Sequence, residues 1–143
     1  MKIKVISFGY KYENMPKASF VFDLRFLKNP YWQPGMRTLS GLDQAVFDFV
    51  MSAAGSEDFY QQLKQMVGLA LKLAQAKETA GGHVADEVTI AFGCTGGQHR
   101  SVAFAQRLGQ DLAAEGYDAA ICHRDLAKSQ KREIARLKEE TKA

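Results

Sequence analysis

Apolar positions along this chain fall into short β-like runs separated by stretches at helical spacing. Ile3, Val5, Ile6 and Phe8 predict a first strand, ended by Gly9, and residues 19–23 predict a second, rich in β-formers. A helix over residues 43 to 51 follows, with Asp43 in the N-cap position. Ser56 then caps a longer helix in which Phe59, Leu63, Met66, Val67, Ala70, Leu71 and Ala74 share one face, and Gly81-Gly82 stops it. Residues 87–92 form a continuous apolar run, as expected of a parallel strand buried on both faces. A helix over 99–115, stopped by Gly116, a strand over 118–123 and a polar helix over 129–140 complete the pattern.

Strands alternating with helices predict an α/β fold: one layered domain over residues 1–143 with a mostly parallel sheet. Its core spans about 1–127, and a basic, mixed-charge helix occupies about 128–143. In such sheets ligands gather beyond the C-terminal strand ends, where Asp23, Cys94 and His123 fall. Residues 27–41 make a long loop with Pro30, Pro34, Gly35 and the only tryptophan, Trp32; loops of this length are often functional.

Composition narrows the class. Hydrophobic residues at 46% and charged residues at 24% suit a globular domain with a real core. No apolar run approaches the roughly 20 residues of a bilayer span. The start of the chain lacks signal-peptide features, which predicts a cytoplasmic protein with no membrane partner and with Cys94 and Cys122 as free thiols. There is no CxxC pair, and His83, His99 and His123 lack metal-ligand spacing, so neither metal nor cofactor is expected.

The chemistry concentrates in Gly93-Cys94-Thr95-Gly96-Gly97-Gln98-His99-Arg100-Ser101, between a strand and a helix start. Glycines let backbone approach a ligand, helix-start N–H groups and the helix dipole favour an anion, and Arg100 brings a planar fork suited to phosphate oxygens. The loop lacks the Lys of GxxxxGK[ST] and is not GxGxxG, which disfavours P-loop nucleotide hydrolysis. Cys94 and Arg100, followed by Ser101, keep the C-x5-R-[ST] spacing of cysteine phosphatases, with Cys94 as nucleophile and Arg100 as clamp, although Gly93 stands where those enzymes commonly have His. Arg25, Arg37, Tyr31 and Trp32 are further ligand candidates; equally, Arg25 can pair with Asp23, and the two aromatics can form a lid over the core.

Charge is uneven. Residues 1–123 hold 12 Lys/Arg and 12 Asp/Glu, so the net charge of +3 comes wholly from residues 124–143. Arg124, Lys128, Lys131 and Arg132 lead this basic end, a candidate for RNA phosphates that Glu133, Glu139 and Glu140 dilute.

Five segments together resemble the C-terminal domain of the RapZ (RNase adapter protein) family: ISFGYKY at 6–12, FVFDLRFLKNPYW at 20–32, LSGLD at 39–43, GCTGGQHRS at 93–101 and CHRDLAK at 122–128. The resemblance implies a non-catalytic, ligand-sensing and RNA-binding module that responds to glucosamine-6-phosphate, works as an adapter and assembles into oligomers. It places Thr95, Gly96, His99 and Arg100 in a sugar-phosphate pocket, with Arg37 a weaker candidate. Tyr31 stands where the enterobacterial motif has His. Family members carry an N-terminal ATPase domain; this chain corresponds to the second domain alone, which leaves open a separately encoded ATPase-domain protein as a partner.

The sequence therefore predicts a module binding a phosphorylated small molecule, a sugar phosphate or a nucleotide, through Cys94, Thr95, Gly96, Gly97, His99, Arg100 and Ser101, with Arg37 and Tyr31. RNA at Arg124, Lys128, Lys131 and Arg132 is a second expected partner, and self-association through Leu69 and Leu73 a third. The rival readings are a Cys94-dependent phosphatase and an RNA-binding module without metabolite sensing.

Overall fold

The computed structural model describes residues 1–84 and 86–142. Among these residues, four strands, β1 (Lys2–Gly9), β2 (Phe20–Asp23), β3 (Glu87–Cys94) and β4 (Asp118–His123), form one sheet in the order β2-β3-β1-β4. Every pairing is parallel, so the α/β expectation holds. β3 runs two residues further than its apolar run suggested, carrying Gly93 and Cys94 into the sheet with Cys94 opposite Gly9.

Among the described residues, four α-helices accompany the sheet: α1 (Gln44–Ser52), α2 (Ser56–Thr79), α3 (Arg100–Ala114) and α4 (Leu126–Lys142). Side chains alternate across each strand. Ile3, Val5, Ile90 and Phe92 face the main core, where α2 contributes Tyr60, Leu63, Val67 and Leu71 and α3 contributes Phe104, Leu108 and Leu112. Ile6, Phe8 and Ala91 face the other way, under Tyr10, Ala18 and Val21. Ile90, Ala91 and Phe92 are all fully buried, as the continuous run required.

Three local expectations change. Ser56 is the first helical residue of α2, not its cap; Gly55, at φ +82°, takes the cap position because the chain must turn through the left-handed region there. The buried face of α2 is built on Tyr60 rather than Met66, which is exposed: a tyrosine whose hydroxyl donates to Asp111 Oδ2 at 2.5 Å can be buried without loss. Asp43 does cap α1 by position, but its carboxylate accepts from the Ser40 amide at 2.8 Å instead of from the helix. Met66, Leu69 and Leu73 form an exposed apolar stripe on α2.

Because all strands run the same way, Gly9, Asp23, Cys94 and His123 end at one edge of the sheet. α4 begins three residues earlier than the polar pattern suggested and returns over this edge. Ser129 and Gln130 tie it down, donating to Gln98 Oε1 at 2.8 Å and to the Thr38 carbonyl at 2.9 Å. Among the described residues, no helix is long and apolar enough to cross a membrane.

Candidate functional site

A cavity of about 290 Å³ opens at this edge. Its floor is the loop between β3 and α3, through Cys94, Thr95, Gly96, His99 and Arg100. Asn29, Tyr31 and Trp32, from a short 3-10 turn over Pro30–Trp32, form one wall. Ser129, Glu133 and Arg136 of α4 form the other, and Lys11 reaches in from the end of β1.

The floor depends on two backbones touching. A Cβ at Gly9 would sit 2.6 Å from the Gly96 carbonyl carbon, and one at Gly97 would sit 2.6 Å from the Gly9 amide nitrogen. Gly97 also turns at φ +67°, which favours glycine. Beneath, Asp125 is fully buried and accepts from the Gly9 amide at 2.7 Å. Burial pushes the Asp125 carboxyl up, but hydrogen bonds from Arg124, the Gly9 amide and Lys128 outweigh it and hold the group below its ordinary value.

Arg100 opens α3 and is only 3% exposed. Its Nη1 donates to the carbonyls of Arg25 and Leu27, at 3.0 and 2.9 Å, pinning the segment after β2 to the helix start. Its Nε is buried and, among the described residues, has no hydrogen-bond partner. His99 is also buried, not solvent-facing; its Nε2 donates to the Met36 carbonyl at 2.8 Å, which leaves Nδ1 as an acceptor. Burial lowers the His99 pKa and keeps the ring neutral. Cys94 Sγ lies 3.1 Å from Ser101 Oγ, both buried.

The signature 93–101, folded as strand, glycine turn and helix start at the cavity floor, accompanies a match to the family model described as the RapZ C-terminal domain, over residues 1–127. This chain belongs to the RapZ C-terminal domain family. Membership implies a regulatory or adapter role. In this RapZ-type domain, three side chains lining the cavity, Ser129, Glu133 and Arg136, lie beyond the matched residues.

The cavity brings together Cys94, Thr95, Gly96, His99, Arg100 and Tyr31 of the sequence-predicted residues. Gly97 supports the loop from behind, and Ser101 touches Cys94. Arg37 does not line the cavity: it pairs with Glu140 at 2.7 Å and Glu133 at 3.4 Å, and so locks α4 down. Arg25 is occupied by Asp23 at 2.7 Å. Trp32 is 80% exposed and rims the cavity rather than covering the core.

The basic end divides. Arg124 is committed to Asp125 and to the carbonyls of Glu13 and Asn14, and Lys128 pairs with Asp125 at 3.0 Å. Lys131 and Arg132 are exposed. Sequence reasoning missed Gln98, Ser129 and Glu133. Gln98 donates to the carbonyls of Arg37 and Leu39 and accepts from Ser129, so one buried amide joins the long loop, the glycine turn and α4. Only the position of Gln98 inside the motif hinted at this. Among the described residues, no cluster of His, Cys, Asp and Glu could hold a metal ion.

Proposed function

We propose that this domain is a non-catalytic regulatory module that binds a phosphorylated metabolite, a sugar phosphate such as glucosamine-6-phosphate or a nucleotide, in the cavity over residues 94–101. One observation carries the reading: Arg100 is buried against the cavity, its Nε has no hydrogen-bond partner among the described residues, and its Nη1 donates to backbone carbonyls. A buried guanidinium without a carboxylate is costly, and a phosphate oxygen relieves that cost. The helix start behind it adds dipole and N–H groups of the same sign. The cavity volume suits a compact monophosphate better than an extended ligand.

Calorimetric titration of glucosamine-6-phosphate against the wild type and Arg100→Gln tests this. Saturable binding lost in the variant is expected; equal affinity in both would remove Arg100 from the site.

RNA engagement is the second arm of the proposal, through exposed Lys131 and Arg132. It predicts binding that weakens steeply with salt and falls further in Lys131→Ala/Arg132→Ala. Self-association would use the exposed Met66, Leu69 and Leu73 stripe.

The phosphatase rival rests on Cys94 and Arg100, which line the same cavity at the C-x5-R spacing. Hydrolysis of an aryl phosphate by the wild type, abolished in Cys94→Ser, would establish that reading over the binding module.

A further inference from the structure

We infer that Glu133 of α4 sets the ligand specificity of the cavity: it accepts a hydrogen bond from a hydroxyl or ammonium group of the bound phosphorylated molecule and turns away molecules that would place a second anionic group there. The inference rests on reading the cavity as a phosphate-ligand site.

Glu133 is 2% exposed, yet it lines the cavity. Its Oε1 lies 3.4 Å from Arg136 Nη1. Arg37 Nε is 3.4 Å from Oε2, close enough to attract but not aligned to donate, so among the described residues Oε2 has no hydrogen-bond partner. A buried carboxylate with an unused acceptor is as unfavourable as a buried guanidinium with an unused donor. Arg100 Nε is that donor, lining the same cavity. The two demand opposite things of a ligand: an anionic oxygen for Arg100 and an N–H or O–H for Glu133.

Glu133 also supplies discrimination. Around a buried carboxylate like charges repel more strongly than in bulk solvent, so Glu133 in the wall penalises a ligand anionic at both ends. This wall is held firmly: Ser129 donates to Gln98, Gln130 to the Thr38 carbonyl, and Arg37 pairs with Glu140. Glu133 lies outside residues 1–127, so this selectivity is written in the segment that the family match does not cover.

The test compares affinities for glucose-6-phosphate, glucosamine-6-phosphate and 6-phosphogluconate in the wild type, Glu133→Gln and Gln130→Ala. The last variant loosens α4 without entering the cavity. The wild type should bind 6-phosphogluconate at least about tenfold more weakly than glucose-6-phosphate, and Glu133→Gln should narrow that gap to about threefold or less. Gln130→Ala should weaken both together. Greater weakening of glucosamine-6-phosphate than of glucose-6-phosphate in Glu133→Gln would identify an ammonium as the donor; equal weakening would identify a hydroxyl. An unchanged gap in Glu133→Gln, or the same narrowing in Gln130→Ala, would overturn the inference. So would equal wild-type affinities for glucose-6-phosphate and 6-phosphogluconate, a result that needs no folded variant. Failure of the wild type to bind any of the three would instead overturn the phosphate-site reading beneath it.

Discussion

Ser129 Oγ donates to Gln98 Oε1 at 2.8 Å, with both side chains buried, and so joins the C-terminal helix to the anion loop. Gln98 spends its amide hydrogens on the Arg37 and Leu39 carbonyls, which orients its oxygen toward α4. Ser129→Ala leaves that oxygen unsatisfied and should destabilise the domain by about 1–3 kcal/mol in chemical denaturation. A change below a few tenths would mean that α4 is not coupled to the loop.

The two adjacent glycines of the loop should respond differently. A Cβ at Gly97 meets the Gly9 backbone at 2.6 Å in a left-handed conformation, so Gly97→Ala should lower the melting temperature sharply. A Cβ at Gly96 finds its nearest neighbour, Ser129 Oγ, at 3.5 Å, an ordinary contact inside the cavity. Gly96→Ala should therefore keep the fold and weaken ligand binding. Melting and titration of the two variants separate these effects; a Gly97→Ala protein as stable as the wild type would contradict the packing of β1 against the loop.

That contrast shows what was legible in the chain. The apolar run into Gly93-Cys94 followed by glycines announced strand, turn and helix, because these are local properties of adjacent residues. β4 was equally local: Asp118–His123 has Gly116 before it and polar residues after. The second wall of the cavity was not local. Ser129 and Glu133 are polar residues on a charged helix, and nothing nearby in sequence marks them as buried; only the return of α4 over the sheet edge does so. Arg37 read as a ligand residue because its partners, Glu133 and Glu140, lie about a hundred positions away. The face of α2 shifted from Met66 to Tyr60 because helical spacing counts apolar residues and could not foresee that Asp111 would satisfy a tyrosine hydroxyl.

Stability should fall as the pH drops below about 6.5, the ordinary histidine value. Burial lowers the pKa of both His99 and His123, so the unfolded chain takes up protons before the folded one does. The unfolded state is then favoured through the window between the lowered folded values and about 6.5, and the stabilisation is fully present above that window. His123 is held by Ser7 Oγ at Nδ1, 2.7 Å, and by Gln106 Oε1 at Nε2, 3.0 Å. His123→Gln should flatten the melting profile between about pH 7.5 and about pH 5.5. A wild-type profile already flat across that range would contradict the assignment of His99 as buried and His123 as half-buried, both neutral.

The α2 stripe gives a prediction about assembly. Leu69 and Leu73 are 57% and 63% exposed, and the buried face of the helix is already complete without them. Leu69→Glu/Leu73→Glu should leave the melting temperature of dilute protein within a few degrees. In light scattering it should convert an oligomer to a monomer, and a wild type that is monomeric at high concentration would remove this face as an interface.

The most direct test of the central claim is amide chemical-shift mapping during titration with glucosamine-6-phosphate. The account predicts saturable shifts concentrated at Thr95–Ser101 and at Ser129 and Glu133, the two sides of one cavity. Shifts confined to Lys131 and Arg132, or weak shifts that never saturate, would contradict a phosphate-ligand site at the β3–α3 loop.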